Sequence, residues 1–463
     1  MTDRGARAAG SAPGGRASSP TATVVVDLGF GDAGKGTIVD WLVRRDDAAI
    51  VVRWNGGAQA GHTVVLDDGR HHTFAQLGAG SFVPGVRSHL ARPVVVHPTG
   101  LLVEARHLEA RGVADPLDRL TIDPAARVIT PWHQAANRLR ELARGAAHHG
   151  SCGVGVGEAV RDALDHPDDP VLVRDLVGET GPLRARLARV RERVRVSLGS
   201  ALADLQREPD AMRELGVLED GDVAERWIAA IAPLRGRGLL EEDEALTRRA
   251  AGRSIVLEGA QGVLLDEWCG FHPHTTWSTC TVHPALDLLR RAGWDGAIER
   301  LGVLRAHATR HGAGPLPTED PSLGPLLPEP HNRSDGWQGA FRVGWPDRVL
   351  ARYALERSGG LDGLAITHLD RWARLPDPRV AVAYQALPAD LAVHDARGRA
   401  IGLRAGDLAH QERLGRALAR AIPVYEGATR DAEALLSAWE SDLGVPVKVA
   451  SSGPTAADKR GRP

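Results

Sequence analysis

Short apolar runs alternate with helically spaced apolar residues along most of the chain. The first run, Val24–Val26, is β-branched and predicts a buried strand, and apolar positions between residues 38 and 43 predict a helix soon after it. Further runs predict strands at Ala49–Trp54, Pro93–His97, Ser254–Leu257, Leu301–Ala306, Gly363–Thr367, Val380–Tyr384 and Pro446–Ala450. This alternation predicts an α/β fold with a large, mostly parallel central sheet and a P-loop-like first strand, loop and helix.

Composition changes along the chain and suggests its boundaries. Residues 1–20 are rich in Ala, Gly, Ser, Pro and Arg without an apolar run, which predicts a disordered N-terminal tail and not a secretory signal. Residues 180–250 are rich in Arg, Glu and Leu and predict a helical insertion whose charged runs are solvated faces. We therefore expect a single domain over residues 21–455, followed by a C-terminal tail at 456–463.

The overall composition narrows the class of protein. A net charge of -2 gives no general reason to expect a nucleic-acid or membrane partner. No apolar run reaches the roughly 18 residues of a membrane span. Three cysteines in 463 residues are typical of a reducing compartment and predict a cytoplasmic protein without disulfides.

The loop after the first predicted strand, Gly29–Thr37, carries the clearest chemical signal. Strand, glycine loop and helix start form the arrangement in which backbone N–H groups face an anion. Lys35 in this loop is one of only three lysines among 57 basic residues. The P-loop pattern is incomplete, because Gly36 stands where a magnesium-binding hydroxyl is usual. A glycine-rich turn without a ligand is the alternative, but Asp32 beside Lys35 indicates metal, phosphate and proton chemistry in one place.

Six motifs in order resemble the adenylosuccinate synthetase family, over about Val24 to Pro454. They are Gly31–Gly36, Gly56–Thr63, Glu258–Gly262, Thr309–Pro315, Thr367–Asp370 and Ser451–Pro454. The resemblance implies a fold around a large central sheet, a homodimer, and the reaction of IMP, aspartate and GTP to adenylosuccinate, GDP and phosphate. It implies small-molecule substrates and Mg²⁺ as cofactor.

The resemblance also implies roles for individual residues. Asp32 would be the base that removes the purine N1 proton, Lys35 would contact phosphoryl oxygens, and His62 would stabilise the transferring group. Asp32 and the Gly61 carbonyl would ligate magnesium, and Asp370 would read guanine. The remaining nucleotide-binding positions are Gly31, Gly34, Gly36, Thr63, Ser451, Gly453 and Pro454. The substrate-binding positions are Gln59, Ser151, Gln261, Thr276 and Arg342.

Several positions depart from the family pattern. The loop Ser151–Val154 lacks the family's arginine, and His368 replaces the usual lysine beside the guanine-reading aspartate. The stretch Trp337–Gly344, where several arginines usually hold aspartate, contains only Arg342, which is therefore expected to anchor the amino acid. These losses leave open another acceptor, such as dGMP or a specialised nucleoside, and a non-catalytic GTP-binding paralogue. An unrelated P-loop GTPase or ATPase is a further alternative.

A second cluster of possible ligands has zinc-like spacing. Cys269 and His272 form one pair, and Cys280 and His283 form another. The seven residues between the pairs are fewer than zinc-finger loops normally need. By resemblance, this stretch is the loop that binds the substrate phosphate through Thr276.

Overall fold

The computed structural model describes residues 19–199, 205, 208–332 and 336–463. Of the predicted N-terminal tail, residues 1–18 lie outside the described residues. The strands are β1 Thr21–Asp27, β2 Ile50–Arg53, β3 His62–Val65, β4 His71–Phe74, β5 Arg87–Leu90, β6 Val95–Val96, β7 Leu120–Ile122, β8 Arg127–Val128, β9 Ile255–Glu258, β10 Ala297–Arg305, β11 Ala308–His311, β12 Phe341–Gly344, β13 Gly363–Thr367, β14 Arg379–Gln385, β15 Ala392–His394, β16 Ala400–Leu403, β17 Ile422–Gly427, β18 Val447–Ser451 and β19 Lys459–Gly461.

The helices lie between these strands and around the sheet. They are α1 Lys35–Arg45, α2 Pro98–Glu109, α3 Pro131–Arg144, α4 Val156–Asp165, α5 Val173–Val177, α6 Thr180–Leu198, α7 Met212–Glu219, α8 Val223–Ile231, α9 Leu246–Ala250, α10 His283–Arg291, α11 Arg348–Arg357, α12 Leu369–Trp372, α13 Leu408–Leu418 and α14 Ala432–Leu443. Within the described residues, none of them is both long enough and apolar enough to cross a bilayer.

Nine strands form the central sheet, in the order β19-β18-β13-β10-β1-β9-β2-β5-β7. All neighbours are parallel except β18 and β19, which are antiparallel. The prediction of an α/β fold with a large, mostly parallel sheet is confirmed. The predicted strand at Val380–Tyr384 belongs to a separate antiparallel sheet, ordered β15-β16-β14-β17.

Strand β1 lies inside the sheet and is covered on both faces. Val25 packs into the core on one face, whereas Val24 and Val26 pack into the core on the other. Because a parallel strand of this kind has no solvent face, its sequence is an unbroken apolar run. The glycine loop follows the carboxyl end of β1 and so lies at the edge where parallel sheets bind ligands.

The predicted helical insertion and the predicted C-terminal tail differ in outcome. The described residues between 180 and 250 are mostly helical, as the sequence predicts, and helix α6 buries Leu183, Leu187 and Val190 along one side. Residues 456–463, predicted as a tail, contain the edge strand β19, whose Lys459 pairs with Ser451 of β18. A short polar strand of this kind carries no apolar alternation, so its place is set by pairing with a strand already present.

Candidate active site

A cavity of about 330 Å³ opens at the carboxyl ends of β1, β13 and β18. Eleven of the residues predicted for catalysis or nucleotide binding line it: Asp32, Gly34, Lys35, Gly36, Gly61, His62, Thr63, Asp370, Ser451, Gly453 and Pro454. They come from four distant parts of the chain. The topology therefore brings the predicted phosphate, base and nucleotide-reading groups together at one edge of the sheet.

The glycine loop shapes the floor of this cavity. Gly34 precedes α1 in a left-handed conformation, with φ of 87°, and no side chain caps the helix start, so its N–H groups are open to an anion. A side chain at Gly36 would place its Cβ 2.7 Å from the backbone of His62. That contact explains why glycine stands where a P-loop has serine or threonine.

A buried ion pair fixes the lysine of the loop. The Lys35 Nζ lies 2.8 Å from Asp27 Oδ2, and both side chains are almost fully buried. The Asp27 carboxylate also accepts hydrogen bonds from the backbone N–H of Gly29 at 2.7 Å and of Ala33 at 3.0 Å. Asp27 was not among the predicted site residues, although an acid at the end of an apolar strand is a readable signal.

Asp32 lies in the cavity wall with a left-handed backbone, at φ of 57°. Burial raises the pKa of its carboxyl, and the positive charges of Lys35 and Arg305 partly offset that effect. A carboxylate in this balance accepts a proton more readily than an exposed aspartate does. That property suits a general base.

His62 is coupled to a second buried carboxylate. Its Nδ1 lies 2.5 Å from Glu258 Oε1, and Glu258 is fully buried at the end of β9. The other oxygen of Glu258 accepts from the Ala79 N–H at 3.0 Å. Burial lowers the pKa of His62 to about 4, so the ring is neutral at physiological pH. Glu258 lies in one of the six motifs, but residue spacing does not predict that it pairs with a residue 196 positions away.

Asp370 and the Ser451–Pro454 turn form the far end of the cavity. Lys459 of β19 donates to the carbonyls of Gly453 and Thr455, at 2.8 and 2.7 Å. Thr37 of α1 donates to the Pro454 carbonyl at 2.7 Å. Among the described residues, none donates a hydrogen bond to the Asp370 carboxylate.

Two glutamines lie outside this cavity. Both side-chain polar atoms of Gln261 and the Oε1 of Gln59 are buried without a described hydrogen-bond partner. Gln261 also has a left-handed backbone, with φ of 54°. The Cα of Gln261 lies 4.0 Å from where a Cβ at Gly31 would be, whereas its amide lies against Gly56, where a Cβ would be 2.7 Å from Oε1. Buried amides without partners are costly and are expected where a polar ligand binds.

The profile of the adenylosuccinate synthetase family matches residues 24–459. The adenylosuccinate synthetase of Alkalilimnicola ehrlichii is 33% identical over 448 residues, which cover 93% of this chain and 95% of that protein. That of Halorhodospira halophila is 32% identical over 453 residues, covering 94% and 97%. This chain belongs to the adenylosuccinate synthetase family. It is therefore a ligase of the GTP-dependent class.

Solved structures extend the likeness to the fold. The fully ligated adenylosuccinate synthetase from Plasmodium falciparum matches with a TM-score of 0.74 at 21% identity, covering 95% of this chain and 99% of that one. The succinoaminodeoxyadenylate synthetase of cyanophage S-2L, solved with dGMP and with dATP as energy donor, matches with a TM-score of 0.57 at 16% identity over 96% of each chain. Both structures show that this chain has the fold of the adenylosuccinate synthetases.

The guanidinium of Arg342 makes contacts within the protein. Its Nη1 donates to the carbonyls of Gly312 and Gly314, both at 2.9 Å, and its Nη2 lies 3.1 Å from a Glu319 carboxylate oxygen. These contacts hold the glycine turn that follows β11, and the anchoring role of Arg342 towards the amino acid stays a prediction. Arg310 likewise makes contacts within the protein, since it is buried and donates to three carbonyls.

The other predicted positions are dispersed. Gly31 lines a smaller neighbouring cavity, Ser151 accepts from Asn137 Nδ2 at 2.9 Å, and the Thr276 N–H donates to Leu265. In the described ranges, no three His, Cys, Asp or Glu side chains are grouped to hold a metal ion. Magnesium needs no such group, because one carboxylate and substrate phosphates commonly suffice. Asp32 and the Gly61 carbonyl, which line one cavity, fit that requirement.

Proposed function

We propose that this family member uses GTP to phosphorylate the 6-oxo group of a purine nucleotide and displaces the phosphate with an amine donor. IMP and aspartate are the substrates that the family relationship favours. The observation that carries the proposal is the meeting of Asp32, Lys35 and His62 with Asp370 around one cavity. A protein that only binds GTP has no need for a base or for a coupled histidine and carboxylate.

The first step would be removal of the purine N1 proton by Asp32, which makes O6 nucleophilic towards the γ-phosphorus of GTP. The transferring phosphoryl would pass between Lys35 and His62, where fixed positive charge and hydrogen bonds stabilise it without reorganisation. The amine of aspartate would then attack C6 and expel phosphate. The neutral ring of His62 would take, on its cavity side, the proton that the amine loses, and Glu258 would stabilise the resulting imidazolium.

Magnesium, held by Asp32 and the Gly61 carbonyl, would supply positive charge to the phosphate oxygens. Asp370 would accept hydrogen bonds from the N1–H and the 2-amino group of guanine. Adenine lacks both donors at these positions, so the site would select GTP over ATP. The guanine would lie between Asp370 and the Ser451–Pro454 turn.

The acceptor is the point at which a second candidate has support. The loop Ser151–Val154 lacks the arginine that the family pattern has near the substrate phosphate, and its Ser151 hydroxyl accepts a hydrogen bond from Asn137 Nδ2 at 2.9 Å. A 6-oxopurine acceptor other than IMP, such as dGMP or a specialised nucleoside, is therefore the alternative within the same chemistry. The unpartnered amides of Gln59 and Gln261 suit the polar edge of any such purine.

The test is phosphate release from GTP and from ATP across a panel of 6-oxopurine nucleotides and nucleosides, with and without aspartate. We expect release with GTP only, with an acceptor required and aspartate needed for turnover. Release that needs no acceptor would contradict a ligase. We also propose that the protein is a homodimer in the cytoplasm. Light scattering would test the homodimer by measuring its molar mass.

A further inference from the structure

His368 stands between the nucleotide-reading end of the cavity and the loop that carries Asp32. It follows the last residue of β13 and precedes α12, on which Asp370 lies. Its backbone is left-handed, with φ of 61°, a conformation uncommon for a residue with a side chain.

The ring makes two hydrogen bonds, and their direction is fixed. Arg305 Nη2 lies 2.8 Å from His368 Nε2, and arginine can only donate, so Nε2 accepts. The proton of the neutral ring is then on Nδ1, which lies 2.9 Å from Thr367 Oγ1 and donates to it. Burial and the positive charge of Arg305 lower the pKa of His368 well below its ordinary value, which agrees with a neutral ring.

The chain of hydrogen bonds continues into the catalytic loop. With its oxygen accepting from His368, the Thr367 hydroxyl donates to the carbonyl of Ala33 at 2.8 Å. The N–H of Ala33 is held in turn by Asp27. Both polar backbone groups of Ala33 are therefore fixed, and these bonds support the left-handed conformation of Asp32 next to it. The methyl of Thr367 also approaches Gly34, 3.4 Å from where a Cβ would lie.

Arg305 ties the same chain to the outer wall of the cavity. Its Nη2 also donates to Glu329, and its Nη1 donates to Thr309 at 3.2 Å. Glu329 accepts a further bond from Arg371, on the helix that carries Asp370, at 3.0 Å. One guanidinium thus connects the cavity wall at Glu329 with the ring of His368.

We propose that His368 is a positioning residue for the base Asp32, acting through Thr367 and the Ala33 carbonyl. The inference rests on the proposed function, in which Asp32 takes the N1 proton. It assigns to the end of β13 a role in catalysis besides nucleotide recognition. The histidine suits this role because a lysine at the same place would present an ammonium to Arg305.

Two amide variants separate the two ring nitrogens. In His368→Asn, the side-chain amide places an N–H near the position of Nδ1 and keeps the hydrogen bond to Thr367. In His368→Gln, the longer side chain reaches the position of Nε2 and keeps only the hydrogen bond to Arg305. We expect His368→Gln to lower kcat at least about tenfold and His368→Asn to lower it less than about threefold, because small displacements of a catalytic group are costly. Affinity for a non-hydrolysable GTP analogue, measured by calorimetry, should change less than about threefold in both.

Thr367→Val provides a second, independent change. It keeps the shape of the side chain but removes the hydroxyl, and should match the loss of His368→Gln. The double variant should be no slower than either single variant by more than about twofold, because both interrupt one chain. His107→Gln, on the exposed face of α2, is the matched histidine control and should keep native kcat. Equal losses in His368→Asn and His368→Gln, or a parallel loss of GTP-analogue affinity, would overturn the proposal.

Nuclear magnetic resonance separates failure of this inference from failure of the proposed function. If the native protein releases no phosphate with any acceptor, the ligase proposal fails. The ¹⁵N spectrum of the histidine rings tests the hydrogen-bond chain separately from any activity. A His368 proton on Nδ1 whose signal shifts in Thr367→Val supports the hydrogen-bond chain, and a proton on Nε2 overturns it.

Discussion

Replacing Glu258 by glutamine should disable His62, the proposed catalytic histidine, with little change in shape. The carboxylate accepts the His62 Nδ1 proton at 2.5 Å from a fully buried position, so no water replaces it. An amide at the same place donates to Nδ1, and the ring proton moves to Nε2. Nε2 can then no longer accept a proton from the cavity. The substitution also removes the negative charge that stabilises the imidazolium.

The magnitude follows from the type of bond. A hydrogen bond to a charged group contributes about 1.5–3 kcal/mol. Since about 1.4 kcal/mol corresponds to a tenfold change in rate, Glu258→Gln should lower kcat for phosphate release by about 10- to 150-fold. Binding of GTP, measured separately, should change little because the loss concerns the transition state.

Glu104→Gln is the matched control for this substitution. Glu104 is also buried, and its carboxylate accepts from the backbone N–H groups of Ala75 and Gln76 at 2.8 and 2.9 Å, away from the cavity. Both variants should lower the melting temperature, but only Glu258→Gln should lower kcat strongly. Equal kcat in Glu258→Gln and the native protein would refute the assignment of Glu258 and His62 to a catalytic pair.

Three further predictions concern the base, the nucleotide and acid stability. Asp32→Asn should lower kcat at least about a hundredfold while calorimetry still detects GTP binding, and a residual rate above a tenth of native would make Asp32 structural. Asp370→Asn should weaken GTP about tenfold or more in the same calorimetric assay, and native turnover with ATP equal to that with GTP would contradict its role. Burial lowers the pKa of His307 from 6.5 to about 4. The unfolded chain therefore binds more protons between these pH values, and the free energy of unfolding falls as the pH drops through them. His307→Leu should remove about 3 kcal/mol of this acid loss in denaturant titrations at pH 7 and pH 4, and an unchanged pH dependence would show that His307 is not buried as a neutral ring.

The local parts of the site were predictable from the sequence. Strand, glycine loop and helix occupy one short stretch, so the placement of Asp32 and Lys35 follows from their immediate neighbours. The parallel sheet was predictable because strands buried on both faces need unbroken apolar runs. The roles assigned to the loop residues stay predictions until the variants are measured.

The remaining parts depend on contacts between distant segments. Sequence spacing does not show that Glu258 meets His62, because the register of β9 against its neighbours decides it. Nor does it show that Arg342 donates to the carbonyls of Gly312 and Gly314. Every residue has a backbone carbonyl, so residue type does not identify these acceptors. The same holds for β19, whose position is given by its partner strand.

The candidate nucleotide cavity joins two segments that lie 417 positions apart, where Thr37 donates to the Pro454 carbonyl, and this sets an order of events during synthesis. The glycine loop comes from one segment, whereas the far wall at Ser451–Pro454 is held by Lys459. A ribosome makes the glycine loop long before it makes this lysine. The nascent chain therefore has no finished cavity until Lys459 has left the ribosome, and a nucleotide that binds there can stabilise the chain only after that point.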